Sequence, residues 1–138
     1  YTFLMGGEPA NVPGYFIPVT ILDNPPENSR IVQEEQFGPV LPLLKFDNYD
    51  DVVARANATE YGLGGSIWGN DEDKAFEIAK RIQSGTVWVN EVQHLSPTAA
   101  FGGVKQSGLG VEGGEEGLLE YTNAQTLVRK KRAPATAG

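Results

Sequence analysis

GSIWGNDEDKAFEIAKRIQSGTVWVN, residues 65–90, decides the fold, because it reads as strand, helix and strand with almost nothing left over. Ser66-Ile67-Trp68 and Thr86-Val87-Trp88-Val89 are short apolar runs without clean alternation, the pattern of parallel strands covered on both faces. Between them a helix is predicted from about Asp71 to Ser84. Asn70 or Asp71 can cap it, Asp71, Glu72 and Asp73 suit the positive end of its dipole, and Gly85 stops it. Ala75, Phe76, Ala79 and Ile82 fall on one stripe for burial, while Glu77 and Arg81 are spaced to pair on the wet side.

On the N-terminal side of this stretch, a strand at Val40 to Phe46 and a helix from Tyr49 to Asn57 extend the pattern to βαβαβ. Residues 2–5 and 15–22 also read as strands, and Pro18 predicts that the second is an edge strand or irregular, since proline cannot donate to a ladder. Residues 23–29 form a loop, and Ser29 is placed to cap a short helix running through Gln36. On the C-terminal side comes a long glycine-rich stretch, Glu91 to Gly114, then a short helix from about Glu115 to Tyr121 and a strand at Ala124 to Lys130. The fold class expected is α/β, a partial Rossmann-like open sheet with mostly parallel strands.

The 138 residues suffice for one hydrophobic core, and 40% apolar with 21% charged residues is globular composition. The absence of cysteine excludes disulfides, thiolate metal sites and a cysteine nucleophile within the chain, and one histidine, His94, cannot build a metal cage, so no metal site and no catalytic residue are expected here. Arg129, Lys130, Lys131 and Arg132 hold four of the 11 basic residues. Positions 1–128 therefore set seven bases against all 18 acids, a balance of −11 that repels phosphate backbones. The basic run lacks interleaved aromatics and reads as a solvated tail, so no nucleic-acid partner is expected. No apolar run approaches a membrane span and no secretory signal is evident, which leads to expecting no membrane partner and a cytoplasmic location. The chain opens on Tyr1-Thr2-Phe3-Leu4, as a piece of a longer protein would.

Gly108-Leu-Gly110-Val-Glu-Gly113 matches the dinucleotide fingerprint G-x-G-x-x-G, but its lead-in is not a strand and the positions about 20 residues on are basic where an acid should hold the ribose. It is expected to be a tightly turning loop. Glu34 and Glu35 read by themselves as surface acids at a helix end, and His94 as a loop histidine. Ser107 has no nucleophile elbow and no histidine in reach by sequence, which argues against nucleophilic catalysis.

Five motifs change this reading: Glu34-Glu35-Gln36-Phe37-Gly38-Pro39-Val40, Tyr61-Gly62-Leu63, Gly85-Thr86-Val87-Trp88-Val89-Asn90, Phe101-Gly102-Gly103-Val104-Lys105-Gln106-Ser107-Gly108 and Glu120-Tyr121-Thr122. In order and spacing they resemble the C-terminal part of the NAD(P)-dependent aldehyde dehydrogenase superfamily, over about Gly14 to Arg129. The resemblance implies an oxidoreductase that uses NAD or NADP to convert an aldehyde to a carboxylic acid through a catalytic cysteine. It matches Glu35 to the glutamate holding the nicotinamide ribose hydroxyls and Phe37 to the aromatic beside the nicotinamide. It places Leu63 and Phe101 near the substrate funnel, and Leu95 within the Glu91 to Thr98 loop that sets aldehyde specificity.

The family's cysteine, glutamate base and Rossmann domain have no counterpart here, so this chain is expected to be inactive alone and not to hold the cofactor tightly. The domain expectation is residues 1–121 as the C-terminal half of the catalytic domain, 122–132 as an oligomerisation strand and 133–138 as a flexible tail. The partners implied are the remainder of the parent enzyme and, through that C-terminal strand, further copies of it. The rival reading is a stand-alone binding or assembly module that keeps the fold without the chemistry.

Overall fold

A computed structural model describes residues 1–131 of the chain. Contacts gather it into two units, Tyr1–Glu60 with Lys80–Ile82, and Tyr61–Ala79 with the residues from Gln83 onward. The first unit is built on a three-stranded sheet in the order β1 (Thr2–Met5), β2 (Thr20–Asp23), β3 (Val40–Leu43). β1 runs antiparallel to β2, and β3 runs parallel to β2 after the short helix α1 (Arg30–Gln33). β2 is thus the central strand, not an edge. Pro18 is compatible with this because the ladder begins two residues later, at Thr20, whose hydroxyl donates to the Pro18 carbonyl and accepts the Gly7 N–H.

Helix α2 (Tyr49–Asn57) has the predicted bounds, and its start is fixed locally. The Asn48 side chain accepts from the Asp50 and Asp51 backbone N–H groups at 2.7 and 3.2 Å, and both aspartates lie in the first turn. Its Val53 is buried, as are Leu22 and Thr20 of β2. Helix α1 is shorter than expected. Ser29 occupies its N-cap position, yet the hydroxyl donates to the Pro26 carbonyl at 2.6 Å instead of capping, and the helix ends at Gln33.

The second unit holds the deciding stretch. β4 (Gly64–Ile67) pairs in parallel with β5 (Thr86–Val89), joined through α3 (Glu72–Ala79). Asp71 supplies the cap, its Oδ1 accepting the Lys74 N–H at 3.0 Å. Ala75 and Ala79 are buried as the stripe predicts, whereas Phe76 remains exposed. α3 ends at Ala79 and not near Ser84. Lys80–Ile82 belong to the first unit, where the Arg81 guanidinium meets Asp50 at 2.6 Å and the Arg81 carbonyl accepts the Asn57 side-chain amide at 2.9 Å.

The class is α/β with parallel pairing, as expected. The strands are nonetheless shared between sheets, because the ladder of β3 goes to β2 while β4 pairs with β5. The glycine-rich stretch carries its own small structure: β6 (Phe101–Gly102) antiparallel to β7 (Val111–Glu112), a 3₁₀ turn at Lys105–Ser107 and helix α4 (Gly114–Leu119). Among the described residues Ala124–Lys130 forms no strand. Thr126, Leu127 and Val128 favour extended structure, but a strand exists only where a neighbour takes up its N–H and C=O groups, and Leu127 and Val128 are exposed. Arg132 and the tail expected at 133–138 lie outside the described residues.

Candidate functional site

The two acids that follow α1 differ sharply in what surrounds them. The Arg30 guanidinium grips Glu34 with two parallel bonds, Nε to Oε1 and Nη2 to Oε2, each 2.8 Å, across one helical turn. That bond, more than the bare charge, holds the Glu34 carboxyl below its ordinary range and raises Arg30. Glu35, one residue on, is exposed and makes no hydrogen bond or ion pair among the described residues. Phe37 is 96% exposed, beside Gly38, and the Gln36 amide donates to the Val40 carbonyl at 2.5 Å, which pins the segment between the acids and β3. Both oxygens of the Glu35 carboxylate are therefore free for a ligand, with an uncovered ring two residues away. Both residues lie in the first unit.

Leu63, Leu95 and Phe101 lie in the second unit. Two of these three come together: Leu63 and Phe101 line one cleft of about 530 Å³, along with Ser107, Leu109, Glu120 and Tyr121. Leu95 is exposed in the loop after β5 and does not line that cleft. The loop itself is tethered at its neighbour, where the Trp88 indole N–H donates to the His94 carbonyl at 2.8 Å. His94 sits 3.3 Å from Glu91 on this loop, in keeping with a loop histidine.

The cleft walls come from the glycine-rich stretch. Gly108, Gly110 and Gly113 all have positive φ, at 129°, 81° and 71°, so the chain turns at each glycine of G-x-G-x-x-G, and a 3₁₀ turn precedes the first glycine where the dinucleotide fingerprint has a strand. Glu120 reaches back from the end of α4 to accept the Val111 N–H at 3.2 Å, closing one side. Ser107, whose sequence context argues against a nucleophile, uses its hydroxyl to accept the Gly62 N–H at 2.8 Å across 45 residues. No local pattern announces that bond. Among the described residues there is no cluster of histidine or acidic side chains arranged for a metal, and no helix is long and apolar enough to cross a membrane.

A model of the aldehyde dehydrogenase family matches residues 1–127. Over 125 residues the chain is 47% identical to aldehyde dehydrogenase 1A1 of Bos taurus and 45% identical to retinaldehyde dehydrogenase 3 of Rattus norvegicus, covering 91% of this chain and 25% and 24% of those proteins. Among solved structures it superposes on betaine aldehyde dehydrogenase of Staphylococcus aureus in complex with NAD+, with a TM-score of 0.81 and 39% identity over 87% of this chain and 25% of that one. It superposes likewise on an indole-3-acetaldehyde dehydrogenase in complex with NAD+, with a TM-score of 0.80 and 37% identity over 88% of this chain and 25% of that one. The chain thus spans about a quarter of the length of the relatives it matches. It belongs to the aldehyde dehydrogenase family, a family of oxidoreductases.

Proposed function

We propose that this chain works as part of an NAD(P)-dependent aldehyde dehydrogenase that oxidises an aldehyde to a carboxylic acid. On this reading it supplies a ribose-binding carboxylate and part of the substrate cleft. The observation that carries the reading is the contrast at 34–35: Arg30 consumes Glu34, while Glu35 keeps both oxygens available. A carboxylate with two unspent acceptors suits a pair of neighbouring ribose hydroxyls, and the uncovered Phe37 ring limits where an attached planar ring can go. These residues fit NAD or NADP, which when bound would supply the hydride acceptor.

The chain's own contribution is orientation. Glu35 would fix the ribose, Phe37 would restrict the nicotinamide end, and the Leu63 and Phe101 walls would receive the apolar part of the aldehyde. The nucleophile must come from outside, since the chain has no cysteine. The chain alone is therefore read as inactive and unable to retain cofactor, with residues 1–121 as the C-terminal half of a catalytic domain and its location cytoplasmic. The segment 122–132 is read as a strand that forms only against a neighbouring copy, a role supported by the exposed Leu127 and Val128 and by the lack of a ladder partner within the described residues.

The test compares Glu35→Gln with Glu34→Gln in a full-length enzyme containing this chain. Hydride transfer, followed by single-turnover formation of reduced cofactor, should fall about tenfold or more in Glu35→Gln and stay near wild type in Glu34→Gln. Equal rates in the two variants would return Glu35 to the status of a surface acid.

A further inference from the structure

The Gly62 peptide is a junction in the second unit. Its carbonyl accepts two backbone N–H groups, from Gly85 before β5 and from Val104 in the glycine-rich stretch, each at 3.0 Å. Its N–H goes to the Ser107 hydroxyl at 2.8 Å. The Val104 bond fixes one end of the 3₁₀ turn, and the Ser107 bond fixes the other, since Ser107 N–H also donates to the Val104 carbonyl at 3.2 Å. The next residue after the junction is Leu63, and the residues on either side of the turn include Phe101, Gly103 and Leu109, all of which line the 530 Å³ cleft together with Ser107 itself.

We propose that Ser107 is a positioning residue for substrate selection: its hydroxyl locks the 3₁₀ turn onto Gly62 and thereby sets the separation between the Leu63 wall and the glycine-rich wall of the cleft. Of the bonds just described at the junction, the one from Ser107 is made by a side chain and the others are backbone to backbone, so a substitution at Ser107 can loosen the wall without removing it. Close packing makes the setting stiff. A Cβ on Gly62 would lie 2.6 Å from the Val104 side chain and 2.7 Å from the Gln83 carbonyl, and one on Gly103 would lie 2.7 Å from the Ser107 Cβ. The Ser107 side chain is half-buried, so the Gly62 N–H loses its partner without ready compensation from water when the hydroxyl is removed.

The inference rests on the cleft being the aldehyde site, and the experiment separates the two. In the full-length enzyme, Ser107→Ala and Ser107→Thr are compared for kcat/KM with benzaldehyde and with acetaldehyde, alongside hydrogen exchange of the peptide containing Gly62. Loss of one backbone-to-side-chain bond should shift the benzaldehyde-to-acetaldehyde ratio toward the bulkier substrate by about three- to tenfold in the alanine variant. Threonine, which keeps the hydroxyl, should hold both the wild-type ratio and the wild-type exchange. Faster exchange at Gly62 in Ser107→Ala with an unchanged ratio overturns the selection role. A ratio that shifts equally in both variants overturns it too, because the hydroxyl is then not the cause. A wild-type enzyme that turns over neither aldehyde strikes the functional reading itself, whatever the variants do.

Discussion

The two units hold their irregular segments by different means. In the first, beside backbone ties such as Thr20 N–H to the Pro39 carbonyl, the main hub is a charged side chain: Arg55 on α2 donates to Glu27 in the loop after β2, to Asp51 one turn back at 3.2 Å, and to the Lys45 carbonyl at 2.9 Å. The bond to Glu27 is the main reason its pKa is raised. In the second unit the ties around Gly62 and Gly85 are mainly peptide groups at close approach, joined by side-chain bonds from Ser107, Trp88 and Glu120. A charged tie tolerates substitution at its edges and weakens with salt. A backbone tie ignores salt and fails once a side chain intrudes.

The largest effect expected from this contrast is at Gly85. A Cβ there would sit 1.6 Å from the Gly102 carbonyl oxygen, a backbone atom that can retreat only by breaking the β6–β7 ladder. Gly85→Ala should cost about 3 kcal/mol in urea unfolding, or leave too little folded protein to measure. Gly38→Ala in the first unit, where nothing lies within 4 Å and φ is not positive, should change stability by less than about 0.5 kcal/mol. If the two alanines behave alike, close backbone approach is not what holds the second unit.

The same contrast explains what could be read from sequence. α2 was legible from the pattern at about its observed bounds, and the determinants the structure shows for it are local: Asn48 caps and Asp50 and Asp51 follow in the first turn. The start of α3 was legible from Asp71 for the same reason. Its end was not, since the Asp50 and Asn57 partners of Arg81 lie 31 and 24 residues away. Strand pairing failed in the same manner, for a short apolar run does not state its neighbour, and β2 could not be known to be central while Pro18 was counted inside it. For the site, motif spacing marked Glu35, Phe37, Leu63 and Phe101; the i,i+4 spacing of Arg30 and Glu34 is a local signal that separates Glu34 from Glu35, whereas the Ser107 bond to Gly62, 45 residues away, has none.

Removing the charged hub should have the intermediate effect and should differ in kind. Arg55→Met keeps much of the apolar stem while deleting the bonds to Glu27, Asp51 and the Lys45 carbonyl. Hydrogen exchange should rise in residues 23–29 and in the segment around Lys45, with the β4–β5 pair unaffected. Raising ionic strength to about 1 M, where the screening length falls to about 3 Å, should bring wild type toward the variant in the first unit. The exchange pattern of Gly85 and Val104 should not respond to salt. A salt response there, or none at residues 23–29, would erase the distinction between the units.

The smallest effect concerns Arg30 and Glu34, the most exposed charged tie in the first unit, and it tests whether such a tie stabilises anything measurable. Both side chains are largely solvated, so screening leaves little of the attraction, and the pair serves α1 alone. The sign is nevertheless fixed. The Glu34 carboxyl is held below its ordinary value of 4.5 by the Arg30 bond, so the folded state binds its proton less tightly than the unfolded chain does. Whatever stability the pair contributes is present above 4.5 and is lost as pH falls through the lowered folded value; Arg30, raised further above its ordinary range by the same bond, keeps its charge throughout that window. Arg30→Gln should therefore return the Glu34 titration midpoint upward to the ordinary carboxylate range when followed by carbon NMR of the side-chain carboxyl. The small stability difference between wild type and variant should be visible at neutral pH and vanish in acid. A midpoint that does not move on removing Arg30 would mean that the two-bond grip is absent in solution, and with it the local reason for treating Glu34 as spent and Glu35 as free.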